Sequence, residues 1–531
     1  MNWTAYPLVR LAILFVFGMA MADFFVGLIE WDRRVLLALL SVALIVMGLS
    51  FRIKQKKRTA SVFGIATAIF CFLFGMTLYI EEYDRVKVRV EDNVNFLRGT
   101  LEDFPVSHRK TLGLNVKRND GRIFHLYVPK RDSVAVSELH LGDTIIARPL
   151  HVKSTCLHDV DMARTKEGDS SFSWYSDFLF YNGISATCYA PSGSYCFVRS
   201  DSELSLVARL RYIGKHAVKL YDEAGMDGEG AAIVEAMTIG EKSGLSKSLK
   251  DSYSRAGVSH VLALSGFHLT VIYFLLNILL LGRATIRKWR WISRIVIILF
   301  VWAFTIMSGM PPSLVRSALM CSIMLLSSVF GLSGTSLASC AFAALVMLVF
   351  NPLMLMDVGF RLSFISVVGI CLVGVPLSFV FDTRNILLNS VWGTISITIA
   401  CTLFTAPLVA YHFGYFSLCS LFSNLLVSLF ATAILAVSAV WWIVYPMAEV
   451  RGVLTNALEW IAEMMNSIVK WFASFDYAVV EWHPYLVEVV LFYIAVVFLV
   501  HFAYKRKSRQ LVWGLSAFVC QLAFAAFRNL F

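Results

Sequence analysis

Among its eleven histidines the chain has no H-x-H-x-D-H run, the spacing that binds two metals and cleaves a phosphodiester. No nuclease, no metal and no other cofactor is therefore expected. A P-loop is lacking too: Gly240-Glu-Lys-Ser-Gly-Leu-Ser-Lys247 sets Glu241 before Lys242 and misses the G-x-x-x-x-G-K-[ST] spacing that wraps phosphates. That excludes the common ATPase motor. The first 28 residues carry only Arg10 as a basic flank and no small-residue cleavage site, so no removable signal peptide is expected. Cysteine is scarce outside the apolar runs. Cys71, Cys321, Cys340, Cys371, Cys401, Cys419 and Cys520 lie in or beside such runs as small core residues, leaving Cys156, Cys188 and Cys196.

Apolar length is what the chain has in abundance. Of 531 residues 58% are hydrophobic and 14% aromatic, and the mean hydropathy is +0.69. A span takes about 20 residues of helix. Candidates run over residues 7–28, 35–51, 60–80, 261–281, 292–308, 313–330, 337–350, 359–380, 391–411, 418–443, 487–503 and 511–527, with 451–475 a thirteenth weakened by Glu459, Glu463 and Lys470. The expected fold class is a polytopic α-helical membrane protein of about 12–13 transmembrane helices, with an extracytoplasmic β-barrel (OB-like) domain after the third. The expected divisions are 1–80, 81–200, 201–258 and 259–531.

Cations cluster at Arg52, Lys54, Lys56, Lys57 and Arg58, at Arg283, Arg287, Lys288, Arg290 and Arg294, and at Lys505, Arg506, Lys507 and Arg509. The positive-inside rule places these loops and the N-terminus in the cytoplasm, the third cluster only if 451–475 spans. Their 14 charges exceed the net +11, so the basic balance reports topology and is not by itself evidence for nucleic acid.

The polar stretch 81–200 then lies outside. Leu112, Leu114 and Val116 alternate with polar residues, Asn119-Asp-Gly121 makes a hairpin turn, and 122–128 returns as a strand. Residues 144–148 and 178–189 continue the series, at a spacing that suits a barrel of five or six strands. Pro191-Ser-Gly193 suits a three-residue hairpin loop whose register sets Cys188 opposite Cys196, which predicts a disulfide; three unpaired thiols are the alternative. The stretch holds 16 Lys+Arg and 16 Asp+Glu, so only a local patch attracts DNA, and the hairpin with Arg109, Lys110, Lys117, Arg118 and Arg122 is the candidate. From 201 the chain turns amphipathic. Arg211, Lys215 and Lys219 share one face, suited to lipid headgroups, nucleic acid or plain solvation, and Leu206, Leu210, Ile213 and Ala217 share another.

The run Ser259-His-Val-Leu-Ala-Leu-Ser-Gly-Phe-His-Leu-Thr-Val271 puts His260, Ser265 and His268 at the start of an apolar segment, where ionisable groups usually face protein interior or water. It closely resembles the "H-x-L-A-x-S-G-L-H-V" signature of the ComEC family of competence inner-membrane channel proteins. Three further matches follow in the family's order: Pro312-Ser-Leu-Val-Arg-Ser-Ala-Leu-Met320, Asn351-Pro-Leu-Met-Leu-Met-Asp-Val-Gly-Phe-Arg-Leu-Ser-Phe364, and Pro407 with Asn424-Leu-Leu426. Phe267, Ser317 and Arg361 depart from the family's usual Leu, Ala and Gln. Many members carry a metallo-β-lactamase-like nuclease domain that is not expected here.

The resemblance implies passage of one DNA strand across the inner membrane. It also implies an external DNA receptor, a cytosolic helicase or translocase that pulls, and a separate nuclease. A path for phosphodiester must be wet, polar-lined and electropositive. His260, Ser265, Gly266, His268, Arg316, Phe360, Arg361, Ser363 and Asn424 are its expected lining, with Asp357 paired to Arg361 or Arg316. Polar glue between helices is the alternative for each, and Ala263-Leu-Ser-Gly266 with His268 or His412 also fits an intramembrane serine protease. A small-molecule or lipid transporter is a further alternative.

Overall fold

The computed structural model describes residues 7–26, 32–52, 57–87, 96–108, 110–155, 170–199, 204–280, 287–329, 336–381 and 383–528. The chain divides into two compact units, one holding Tyr6–Arg209 with Ala344–Asp357 and the other holding Leu210–Ala343 with Val358–Phe531.

In the first unit the helices α1 (Pro7–Val26), α2 (Arg33–Arg52) and α3 (Lys57–Val86) precede a mixed sheet. Asp23 of α1 accepts the Tyr79 hydroxyl of α3, which satisfies a carboxylate on an apolar helix. The strands are β1 (Leu97–Leu101), β2 (Val106–Ser107), β3 (Thr111–Arg118) and β4 (Ile123–Pro129). After a one-turn helix α4 (Ser133–Ser137) come β5 (Thr144–Ala147), β6 (His151–Ser154), α5 (Ser170–Tyr181), β7 (Ile184–Tyr189) and β8 (Tyr195–Val198). Leu97, Leu114, Val116, Phe124, Leu126, Val128 and Ile145 are fully buried on the sheet's inner face. The β3–β4 hairpin turns at Asn119-Asp-Gly121 as expected, pairing Lys117 with Ile123.

Three expectations for this unit are corrected. The sheet is open, in the order β6-β7-β4-β3-β1-β5-β8 with β2 beside β3, because β7 returns through α5 to lie parallel to β4 instead of closing a barrel. The expected strand over 178–189 begins only at Ile184. Residues 178–181 finish α5, where the Asn182 side chain caps the Phe178 carbonyl at 2.7 Å. The Cys188–Cys196 disulfide is absent, for β7 and β8 do not pair. Cys188 stands opposite Leu126 and Val152, Cys196 stands opposite Ile146, and both thiols are free. Cys156 lies outside the described residues.

The second unit begins with α6 (Leu206–Glu223), α7 (Gly228–Thr238) and α8 (Lys247–Arg255), then α9 (Gly266–Leu280), α10 (Arg287–Met307), α11 (Pro312–Val329) and α12 (Ser336–Phe350), whose end falls in the first unit. There follow α13 (Val358–Ser378), α14 (Ile386–Phe413), α15 (Ser420–Ile443), α16 (Ala448–Ala473), α17 (Leu486–Lys505) and α18 (Ser508–Arg528). Leu458, Ala462, Met465, Val469 and Phe472 recur at helical spacing along α16 and pack with Ile233, Met237, Leu249, Tyr253 and Trp441. The Tyr253 hydroxyl donates to Asn466 at 2.9 Å in that core, and Lys470 meets Glu229 at 2.7 Å above it. The basic stripe of α6 is partly spent inside the protein, since Lys215 binds Glu241 at 2.6 Å. Its expected apolar face is split: Ala217 is buried, Leu206 and Ile213 are exposed.

Among the described residues seven helices are long and apolar enough to cross a membrane: α1, Arg33–Ser50 of α2, Val62–Val86 of α3, α13, α14, α15 and α17. Four shorter apolar helices accompany them, Gly266–Leu280, Trp291–Met307, Pro312–Ser328 and Ser336–Phe350. Each of the other expected spans also coincides with a helix, namely these four shorter ones together with α16 and α18. Residues 451–475 form most of α16, which is not among the seven. One of its faces is committed to α7 and α8.

Candidate functional site

The segment before α9 is held in place from outside. Gly257 has φ +76, and a side chain there would crowd Ser417 and Ser420 within 2.9 Å. The Ser417 and Ser423 hydroxyls donate to the carbonyls of Arg255 and Ala256 at 2.7 and 2.6 Å. A single turn over Ser259–Val261 follows, and α9 begins only at Gly266. His260 lies in that turn, and Asn424 Nδ2 of α15 donates to Thr398 Oγ1 of α14 at 2.9 Å.

Ser265 is the N-cap of α9. Its hydroxyl accepts the Phe267 N–H at 3.3 Å, while His268 Nδ1 accepts the Ser265 N–H at 3.2 Å and lies 3.0 Å from the Ser265 hydroxyl. This is the reciprocal arrangement of a capping box, with imidazole in the place of the usual Glu or Gln. Because Nδ1 accepts, the ring proton sits on Nε2. The His268 side chain is fully buried and Nε2 has no partner among the described residues.

α11 approaches this cap directly. Ser313 Oγ donates to the Leu264 carbonyl at 2.8 Å, and Ser317 Oγ donates to the Ser313 carbonyl at 2.9 Å. A Cβ on Gly266 would lie 2.5 Å from Ser317 Oγ and 3.3 Å from Arg316 Nη2, so the close approach needs glycine. Arg316 is only 6% exposed. Its Nη1 donates to the Ser363 carbonyl of α13, its guanidinium lies 5.6 Å from the Phe364 ring, and its Nε has no acceptor among the described residues. Among the described residues no carboxylate stands within ion-pair distance of it. The described partners of Arg316 are thus a carbonyl and a ring.

Of the expected lining, His260, Ser265, Gly266, His268, Arg316, Ser363 and Asn424 come from five segments that meet around this helix start, Ser363 through its backbone carbonyl. Phe360 is buried and packs on Phe364 with ring centroids 4.4 Å apart. Arg361 is half-buried on the same helix. Asp357 ends the turn Pro352–Met356 and belongs to the other unit. Ser313, Ser317, Thr398 and Phe364 complete the cluster, and of these the sequence marked only Ser317. The signal for Ser317 was its departure from the family's Ala.

In the sheet unit Arg109 lies outside the described residues, and Lys110 is exposed at the end of the turn. Lys117 pairs with Glu102 at 3.0 Å, Arg118 with Asp120 at 3.7 Å, and Arg122 Nε donates to the Arg85 carbonyl at 3.3 Å. Part of that patch's charge is locally compensated.

Fold and site together define a polytopic α-helical membrane protein with an inserted mixed sheet and a motif-bearing helical bundle. The family model described as "Competence protein" matches residues 237–506, which include the bundle, and the chain belongs to that family, the ComEC family. It is similar to ComE operon protein 3 of Bacillus subtilis (strain 168), 25% identical over 341 residues that make up 64% of this chain and 42% of that protein. The chain thus spans less than half the length of that curated relative. No solved structure matches it.

Proposed function

We propose that this chain carries single-stranded DNA across the inner membrane during natural transformation, with the N-terminus cytoplasmic and the sheet domain outside. The observation that carries the reading is Arg316, a buried guanidinium without a carboxylate, at the meeting point of the family's motif segments. A cation buried without a counter-ion costs several kcal/mol. A passing phosphate offsets that cost, while a resident carboxylate would repel the strand. The chain acts as a conduit and not as an enzyme, and needs no cofactor. An external DNA receptor feeds it, a cytosolic helicase or translocase pulls, and a separate nuclease removes the other strand.

A protease reading has the 3.0 Å contact of Ser265 with His268 in its favour. Against it, the hydroxyl is engaged as a helix cap, and no described group orients His268 through Nε2. Deleting the gene and scoring transformants together with internalised labelled DNA tests the conduit. Both should fall to background in the deletion strain and return with the gene; undiminished internalisation would refute it.

A further inference from the structure

We propose that the N-terminus of α9 and Arg316 form a seat for one phosphate group. Two positive features stand side by side here. The first is the start of a 15-residue helix, whose Gly266 and His268 N–H groups have no acceptor among the described residues. The second is the Arg316 guanidinium, whose Nη2 would stand 3.3 Å from a Cβ on Gly266 and whose Nε is unpaired in a residue only 6% exposed. His268 lies on the first turn of the same helix. Its Nδ1 is spent on the Ser265 N–H, so its fully buried Nε2–H is left unpaired.

A phosphate satisfies this donor set. Backbone N–H groups at a helix start bind its oxygens, and a guanidinium adds charge-assisted bonds. Among the described residues no carboxylate pairs with Arg316, so the seat is not spent on an internal ion pair. A Cβ on Gly266 would meet Ser317 Oγ at 2.5 Å and Arg316 Nη2 at 3.3 Å, so glycine is what lets the helix start pack against Arg316. One seat, unlike a chain of arginines, holds a phosphate and still releases it when the strand is drawn on.

The inference rests on the conduit reading only for the phosphate's carrier, which is a DNA strand there and a lipid headgroup otherwise. The test uses the full chain in nanodiscs of zwitterionic lipid, titrated with inorganic phosphate. It is read by 15N-histidine NMR, with the His268 signal assigned by its loss in His268→Gln. Phosphate should shift the His268 Nε2 resonance saturably, and Arg316→Gln should weaken the effect by roughly tenfold or more, Arg316→Lys by less. Should Arg316→Gln not accumulate, the His268 shift in the unaltered protein decides. No shift, or equal binding in Arg316→Gln, overturns the seat. Competition by oligothymidylate supports a strand as carrier, and competition by short-chain phosphatidylglycerol alone keeps the seat and assigns it to lipid. Strand uptake without any phosphate effect on His268 sinks the seat and leaves the conduit; phosphate binding in a protein that internalises no DNA does the reverse.

Discussion

His268 Nδ1 accepts the Ser265 N–H at 3.2 Å, so the two polar residues of the Ser-Gly-Phe-His run start a helix by capping it reciprocally. The cap also fixes the imidazole tautomer, which aims its remaining proton away from Ser265. A structural role and a ligand-facing role therefore fall on different nitrogens of one ring.

This division is measurable. Ser265→Ala should lower stability by about 1 kcal/mol, the usual worth of an N-cap, and leave DNA uptake close to normal. His268→Gln, which keeps an acceptor for the Ser265 N–H, should be more stable than His268→Ala in thermal unfolding of the purified protein. Equal melting of the two His268 variants would count against the reciprocal cap.

The exposed cations of the β3–β4 hairpin should give weak, salt-sensitive binding of single-stranded DNA by the sheet unit. Changing Lys110, Lys117, Arg118 and Arg122 together to Glu should abolish it in the full chain. Glu102→Gln, which removes the partner of Lys117, should strengthen it a few-fold, since exposed ion pairs are worth only about 0–1 kcal/mol. Unchanged affinity in the charge-reversed protein would remove the patch from the pathway.

Thiol reactivity reports the strand order. Cys188 is buried, which pushes its thiol up to about 12, whereas Cys196 is exposed on another strand. A maleimide should label Cys196 in the folded protein and reach Cys188 only after unfolding. A Cys188–Cys196 crosslink formed by oxidising the folded protein would show that β7 and β8 pair after all.

Glu235 of α7 gives a pH dependence. Burial first, then Asp222 and Glu241, raise its carboxyl from 4.5 to about 7. The folded state thus holds the proton more tightly than the unfolded state. Stability from this group falls as pH rises from about 4.5 through 7, and the loss is complete above that. Glu235→Gln should melt higher than the parent at pH 8, with the gap narrowing towards pH 5. A gap that widens on acidification would reverse the assignment.

Much of this was legible in the residues. Asn119-Asp-Gly121 dictated its hairpin because turn chemistry and strand alternation are local. The parallel β4–β7 pairing was hidden, since it depends on α5 carrying the chain back across the sheet, and the disulfide expectation failed with it. Residues 451–475 read as a weak span because charge and apolarity were both present; only their packing on α7 and α8 shows where the apolar face goes. His260, Ser265, His268, Arg316 and Asn424 stood out as polar residues on apolar segments, and Ser317 as a departure from the family's Ala, but Ser313 beside them did not. Hydroxyls that bond to neighbouring carbonyls leave no pattern in sequence.

The central claim is that the Arg316 charge serves the passing strand and not the fold. In a strain lacking the chromosomal gene, internalised labelled strand is measured per unit of membrane-fraction protein for the unaltered chain, Arg316→Ala and Arg316→Lys. The account predicts near-normal protein levels throughout, uptake abolished by Ala, and partial uptake with Lys, because charge matters more here than the guanidinium's fork. Normal uptake per protein in Arg316→Ala, with protein level falling instead, would contradict it.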